Sequence, residues 1–453
     1  MNMKKMLALL TAGIMVIGML SGCGSDKTTE PTQAGTETQE TVTKNTEDTA
    51  EQTDTAALDV TLEVEVGYTG DALDSFRAIL EDFTAQTGVK IDLITPGSDY
   101  ETVMKTRMAS GDMPDVFVTH GWSVARYKEY LLPLNDQAWV ENIDESVKNV
   151  ISDEEGNIYV LCVSQGINGI EYNKGVLDAA GVEVAEITTM EKFLEACDKI
   201  KESGVTPMYL GGKDSWTSAS LMDNFAPAYF TAEGCAYPSG EQLKDGSFDW
   251  TTTGAAYFNE LKDMINKGYF NENFVTADEI QGFEALATGN CAFLVGGLSI
   301  DRVKAYNEGV EIGVMPVPST AEGGKMLYMV GEGSAFGIWK DSEYIDAAKQ
   351  LLNYLADAEV AAKIVELDAN IPALTNIDTA GNVTYTTFSA SQETFANNIC
   401  YDNLFDREYL PSGMWSVMTD SVMEVFMDPT DNGVSTATND MQTNYKEMMD
   451  AAE

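Results

Sequence analysis

The chain has 453 residues, with 73 acidic and 27 basic side chains and a formal net charge of −46. Such a chain repels nucleic acid, whose binding proteins need clustered Lys and Arg to displace counterions, and it offers no basic patch to anionic lipid headgroups. The length suits two or three domains with real cores, and no segment after the first twenty residues is long and apolar enough to span a bilayer.

Lys4 and Lys5 open the chain, and Met6 to Leu20 is an apolar run too short for a comfortable transmembrane helix. Leu20-Ser21-Gly22-Cys23 follows. Small residues before a cysteine at the end of such a run resemble the lipobox of bacterial lipoproteins. That resemblance implies cleavage of residues 1–22, which leaves 431 (453 − 22) residues, and lipidation of Cys23 at its thiol and new amino group. The alternative is an ordinary signal peptide that contains a cysteine. Residues 23–57 then form an acidic tether, rich in Thr, Glu, Gln and Ala and poor in large apolar side chains. It cannot bury enough surface to offset its ordering entropy, and as a random coil it reaches roughly 30 Å.

From Leu58 the pattern changes. Val60, Leu62, Val64 and Val66 alternate as a strand does, and Leu73, Phe76, Ile79, Leu80 and Phe83 recur at helical spacing with Gly88 as the stop. A strand over Val89 to Ile94, a helix over Tyr100 to Ala109 ended by Gly111, and a strand over Val116 to Val118 complete a β-α-β-α-β run. That order is the signature of a parallel doubly wound sheet, in which ligands bind at the carboxyl ends of the strands. Those ends carry Tyr68, the Pro96–Asp99 segment, His120 and Trp122.

A second alternation follows. Thr188 with Glu191 reads as a capping box, with Gly204 past the helix end. A short strand over Met208 to Leu210, helices over Ala255 to Lys267 and Asp278 to Ala287, and strands over Cys291 to Val295 and Ile312 to Val317 come next. Ile345 to about Leu367 reads as one long helical stretch, and the chain after Ile371-Pro372 as mostly helical. The content is α/β, arranged as two lobes. With Cys23 set aside, Cys162, Cys197, Cys235, Cys291 and Cys400 are odd in number and scattered, which rules out a complete disulfide framework and points to apolar packing.

The order of local phrases is itself informative. Ala109-Ser110-Gly111-Asp112-Met113-Pro114-Asp115-Val116 is the sharpest of them, followed by Glu171-Tyr172-Asn173-Lys174, Gly212-Lys213-Asp214-x-Trp216 and Gly313-x-Met315-Pro316-x-Pro318. From Leu58 onward the chain resembles the extracellular solute-binding proteins, family 1, of bacterial ABC importers for carbohydrates. The resemblance implies a two-lobed periplasmic-binding-protein-like fold of type II, with ligand in a cleft between lobes joined by hinge strands. Crossings are expected near 163–167, 331–334 and 371–373. The first lobe then holds 58–165 plus 334–371, and the second 166–333 plus 372–453. It also implies a small-molecule carbohydrate as ligand, ABC permease transmembrane subunits with an associated ATPase as partners, membrane attachment through the N-terminal lipid alone, a monomer, and no cofactor or metal.

A sugar has polar edges and apolar faces, so aromatic rings and carboxylates are the side chains to seek. Tyr68, His120 and Trp122 follow strand ends, where capping or packing is the alternative role. Trp216 lies in a polar loop where an aromatic has little local reason to be. Glu332 stands between two glycines at an expected crossing, Trp415 falls in the C-terminal region where relatives often place an aromatic at the cleft, with core packing as its alternative role, and Asp406 in Phe405-Asp406-Arg407 is a lesser candidate. One departure is that Gly296-Gly297-Leu298-Ser299 lacks the tryptophan that many relatives carry there. The competing classes are a surface-anchored glycoside hydrolase using two carboxylates, a receptor for a non-sugar solute, and a cell-surface scaffold. No catalytic motif or internal repeat supports the first or the last.

Overall fold

The computed structural model describes residues 60–452 apart from 98, 99, 120, 122 and 369, and leaves out the side chains of 71, 101, 149 and 452. The leader, Cys23 and the tether therefore fall outside the described residues. Twelve strands are present among the described residues. In chain order they are β1 (Thr61–Glu65), β2 (Lys90–Ile94), β3 (Val116–Val118), β4 (Val160–Cys162), β5 (Ser164–Asn173), β6 (Thr206–Met208), β7 (Cys291–Gly297), β8 (Ile312–Met315), β9 (Met326–Glu332), β10 (Ala335–Ile338), β11 (Ile371–Pro372) and β12 (Ile399–Asn403).

The first sheet has the order β2-β1-β3-β10-β4. Its β1 is parallel to both β2 and β3, as the β-α-β-α-β pattern predicts, while β10 joins antiparallel to β3 and β4. The alternation works as read, because Leu62, Val64 and Val66 are buried against Phe76 and Phe83 of helix Gly70–Thr87. That helix ends where Gly88 turns left-handed (φ 79°) and its N–H donates to the Thr84 carbonyl.

The second sheet runs β12-β9-β5-β7-β6, with β8 and β11 also paired to β5. Its core packs around helices Met190–Glu202, Trp216–Phe230, Ala255–Asn266 and Met414–Met427. Trp250 lies wholly within that core and Trp139 within the first, both as packing.

Between the two sheets three segments lie side by side. Gln165 and Gly166 of β5 pair with Glu332 and Gly331 of β9, and Ile371 and Pro372 of β11 pair with Gln165 and Ser164. Three crossings held by backbone hydrogen bonds make a narrow, ordered neck.

Four local readings need correction. The helix cap is Thr189, whose hydroxyl accepts from the Lys192 N–H, and not Thr188; pairing of the Met190 N–H with the Ser319 carbonyl sets the start one residue later. The strand expected over Met208 to Leu210 is β6, two residues earlier, because it must register with Cys291 and Phe293 of β7. The stretch from Ile345 is two helices, Ile345–Leu355 and Ala358–Asp368, since Asp357 accepts from the Glu359 N–H and so caps a fresh start. The C-terminal region also contains β12, which pairs in parallel with β9.

Candidate functional site

The predicted residues fall into three settings. At the neck, the Tyr68 hydroxyl donates to Asp368 Oδ1 (3.0 Å) and is hydrogen-bonded to the Ser334 hydroxyl. The Ser164 hydroxyl donates to Asp368 Oδ2 and accepts from the Ser334 N–H (2.9 Å). This polar cluster ties the end of β1 to all three crossings. Burial, and then the Asp368 charge, push the Tyr68 hydroxyl well above its ordinary pKa, so it is a donor throughout the working pH range.

Glu332 belongs to the same neck. It is 6% exposed. Its Oε1 accepts from the Ser123 N–H (2.8 Å) and its Oε2 from the Thr119 hydroxyl. Burial raises its pKa, and the Ser123 and Thr119 bonds oppose that rise. The carboxylate thus joins β9 to the loop after β3. His120 and Trp122, predicted on that loop, lie outside the described residues.

The second setting is the end of β6 and β7. Trp216 begins helix Trp216–Phe230 and is 46% exposed, although the helix behind it is buried from Ser218 onward. Its loop is firmly tied. The Thr217 hydroxyl donates to the Gly211 carbonyl (3.0 Å), the Lys213 N–H to the Ala277 carbonyl (2.9 Å) and the Glu279 N–H to Asp214 Oδ2 (2.9 Å). A β-carbon at Gly211 would lie 2.7 Å from the backbone of Asp278 and Glu279, so only glycine allows this approach. The indole is therefore presented, not merely unpacked. Beside it is a cavity of about 70 Å³ whose lining includes Tyr209, Glu171, Gly296, Gly297 and Ser299.

The third setting is helix Phe405–Tyr409 and the turn after it. Asp406 is buried, and its N–H donates to Oδ1 of the equally buried Asp223 (2.9 Å). Trp415 packs part-buried against the second core. Neither lines the cavity beside Trp216 or the cleft beside Glu332. Their neighbour Arg407, not singled out in the sequence, covers Gly121. Gly121 has φ +86°, and that backbone conformation selects glycine.

Arg407 and Glu408 border a cleft of about 590 Å³, opposite Ser123, Lys128 and Asp153 of the first sheet's side. Its volume lies in the range of small-molecule sites. Its described lining mixes charged and polar side chains with Val124, Val150, Val330 and Leu404, and includes Glu332 but no aromatic ring. The structure thus offers polar room between the sheets and one presented indole at the second sheet's strand ends. The signal for Arg407 and Glu171 in the sequence was faint, being a charged residue inside an otherwise apolar or turn-like stretch.

Comparison with known proteins follows the same lines. The family model described as bacterial extracellular solute-binding protein matches residues 68–362. The melibiose/raffinose/stachyose-binding protein MelE of Bacillus subtilis (strain 168) is 31% identical over 351 residues, covering 76% of this chain and 80% of that protein. A binding protein of Bacillus subtilis solved in an open conformation superposes with TM-score 0.79 at 28% identity, covering 86% of this chain and 98% of that one. A sugar transporter protein of Bacillus licheniformis solved in complex with stachyose gives TM-score 0.74 at 31% identity, covering 86% and 100%.

Proposed function

The chain belongs to the bacterial extracellular solute-binding proteins, and from that premise we propose that it captures a sugar of the raffinose and stachyose kind for an ABC importer. It is a binding protein of the type II fold and not an enzyme. The observation that carries the sugar assignment is the 31% identity to MelE across four-fifths of that protein. The presented Trp216 indole supports it, since an apolar ring face is what a sugar's C–H face stacks on.

The lobes are assigned as 58–165 plus 334–371 and 166–333 plus 372–453, hinged at the neck. A sugar that touches both lobes favours the closed arrangement by its differential contacts, and the closed face is what permease subunits with their ATPase would recognise. Trp216 is assigned as a stacking platform. Tyr68 and Glu332 are assigned to the neck, where their hydrogen bonds hold the lobes in register and leave little for a ligand. His120, Trp122, Asp406 and Trp415 remain candidate contacts around the cleft. Cys23 is assigned as the lipid anchor at the outer face of the cell membrane, with residues 24–57 as the spacer and the protein acting as a monomer.

Calorimetric titration with melibiose, raffinose and stachyose tests the reading. One-to-one binding at micromolar affinity, about −8 kcal/mol, is expected for capture with release. A folded sample that binds none of the three would overturn the sugar class.

A further inference from the structure

Glu171 is an acid inside a buried strand, and the neck does not use it. It is 2% exposed, two residues before the end of β5. Its Oε1 accepts from the Ser299 N–H (2.6 Å) and its Oε2 from the Ser299 hydroxyl (2.8 Å). Ser299 closes the Gly296-Gly297-Leu298 turn after β7. Glu171, Gly296, Gly297 and Ser299 line the same cavity as Trp216. Gly296 adopts φ +153°, so the turn rests on a residue with little conformational preference of its own. Besides the sheet pairing, the Leu298 N–H bond to the Ile167 carbonyl (3.0 Å) and the two bonds to Glu171 pin it.

We propose that Glu171 is a positioning residue for the ligand face: its carboxylate holds Ser299, and with it the glycine turn, as the wall of the cavity opposite Trp216, so that sugar affinity rises with pH. This rests on the sugar-binding reading above and adds to it the regulation of that site. An ionised carboxylate accepts both bonds at charge-assisted strength, whereas the acid form converts one acceptor into a donor and loses the charge. Burial raises Glu171 to about 7, against the opposing effect of the Ser299 bonds, so the change falls in the neutral range.

The groups facing it do not displace that assignment. Glu279 on helix Glu279–Thr288 raises Glu171 further, and Arg302 on helix Ile300–Lys304 lowers it. These two are themselves paired at 3.2 Å and offset each other. The sheet neighbours across β7 and β8 are Leu294 and Val314, which carry no charge. The Tyr209 hydroxyl is raised by burial and remains neutral.

The test is titration of the full chain with raffinose and stachyose from about pH 5.5 to about pH 8.5, in the parent, Glu171→Gln and Ser299→Ala. The parent's affinity is expected to rise about tenfold across that range, the change that one unit of linked pKa produces. Glu171→Gln should bind with a flat profile, and Ser299→Ala should move the midpoint to higher pH. A flat parent profile, or a Gln variant that keeps the parent's slope, overturns the proposal. Amide hydrogen exchange over residues 296–299 in the sugar-free protein at about pH 8 is the second arm. Faster exchange in Glu171→Gln is expected, and unchanged exchange overturns the proposal. If the parent binds neither sugar at any pH, the sugar reading falls, and the exchange arm still decides whether Glu171 holds the turn.

Discussion

The neck and the strand ends of the second sheet use polar chemistry in opposite ways. At the neck, Glu332 is buried and Asp368 partly buried, and both oxygens of each carboxyl group accept hydrogen bonds, so these side chains are committed to neighbouring hydroxyls and backbone. At the ends of β6 and β7 the polar bonds lie behind the surface, in the Gly211–Asp214 loop and the Glu171–Ser299 contact, and an indole is left facing outward. A residue type that suggests binding is therefore not enough. What separates a contact residue from a scaffold residue is whether its bonding capacity is already taken.

Breaking the neck should give the largest effect. Asp368→Ala takes away the carboxylate acceptor of the partly buried Tyr68 and the buried Ser164 hydroxyls and is expected to destabilise the protein by about 3 kcal/mol in urea denaturation. Asp368→Asn, which keeps an acceptor and the shape, should recover part of that loss.

Acidity should act on stability and on sugar affinity in opposite senses. Glu171, Glu332, Asp368 and Asp402 all have folded-state pKa values raised mainly by burial. A carboxyl group raised in the fold contributes stability that is present below its unfolded value and lost as pH rises through its folded value. For Glu171, raised from 4.5 to about 7, the loss between those limits is about 3 kcal/mol. The sugar-free melting temperature is therefore expected to fall from pH 5 towards pH 8 while sugar affinity rises, and a melting temperature that climbs over that interval would contradict the burial argument.

Trp216→Ala sharpens the contrast from the other side. Loss of the platform should weaken sugar binding by about 2 kcal/mol, roughly thirtyfold, while stability stays within about 0.5 kcal/mol because the ring is half exposed. Parent-like affinity in calorimetry would remove Trp216 from the site. The smallest effect belongs to the buried carboxyl pair. Burial and the neighbouring Asp406 push Asp223 well above the usual carboxylate range. Asp223→Asn should change stability by less than about 1 kcal/mol, since an amide oxygen can still accept from the Asp406 N–H.

The first sheet's parallel core was legible because its information is local. Val60 to Val66 alternate, Phe76 to Phe83 recur every three or four residues, and Gly88 and Gly111 stop their helices by geometry that glycine alone reaches cheaply. The second sheet was less legible because its strands come from distant segments. β12 has weak alternation, and pairing with β9 gives it its strand character. β6 was misplaced for the same reason, since its register is set by β7. Trp216 could be picked out, because an aromatic in a polar glycine loop is locally anomalous. Glu171 was read only as part of a phrase.

The sequence alone settled the class of fold, the acidic character and the residue types available for a sugar, because periodicity, charge and composition are carried by each residue and its near neighbours. Only the tertiary structure decided which of those residues have their polar groups engaged and which stand exposed. Tyr68 and Glu332 are occupied by partners hundreds of positions away, such as Ser334 for Tyr68 and Thr119 for Glu332, while Trp216 is left open and Glu171 is brought against Ser299. Hydrogen-bond satisfaction is a property of packing in space, and a linear pattern does not contain it.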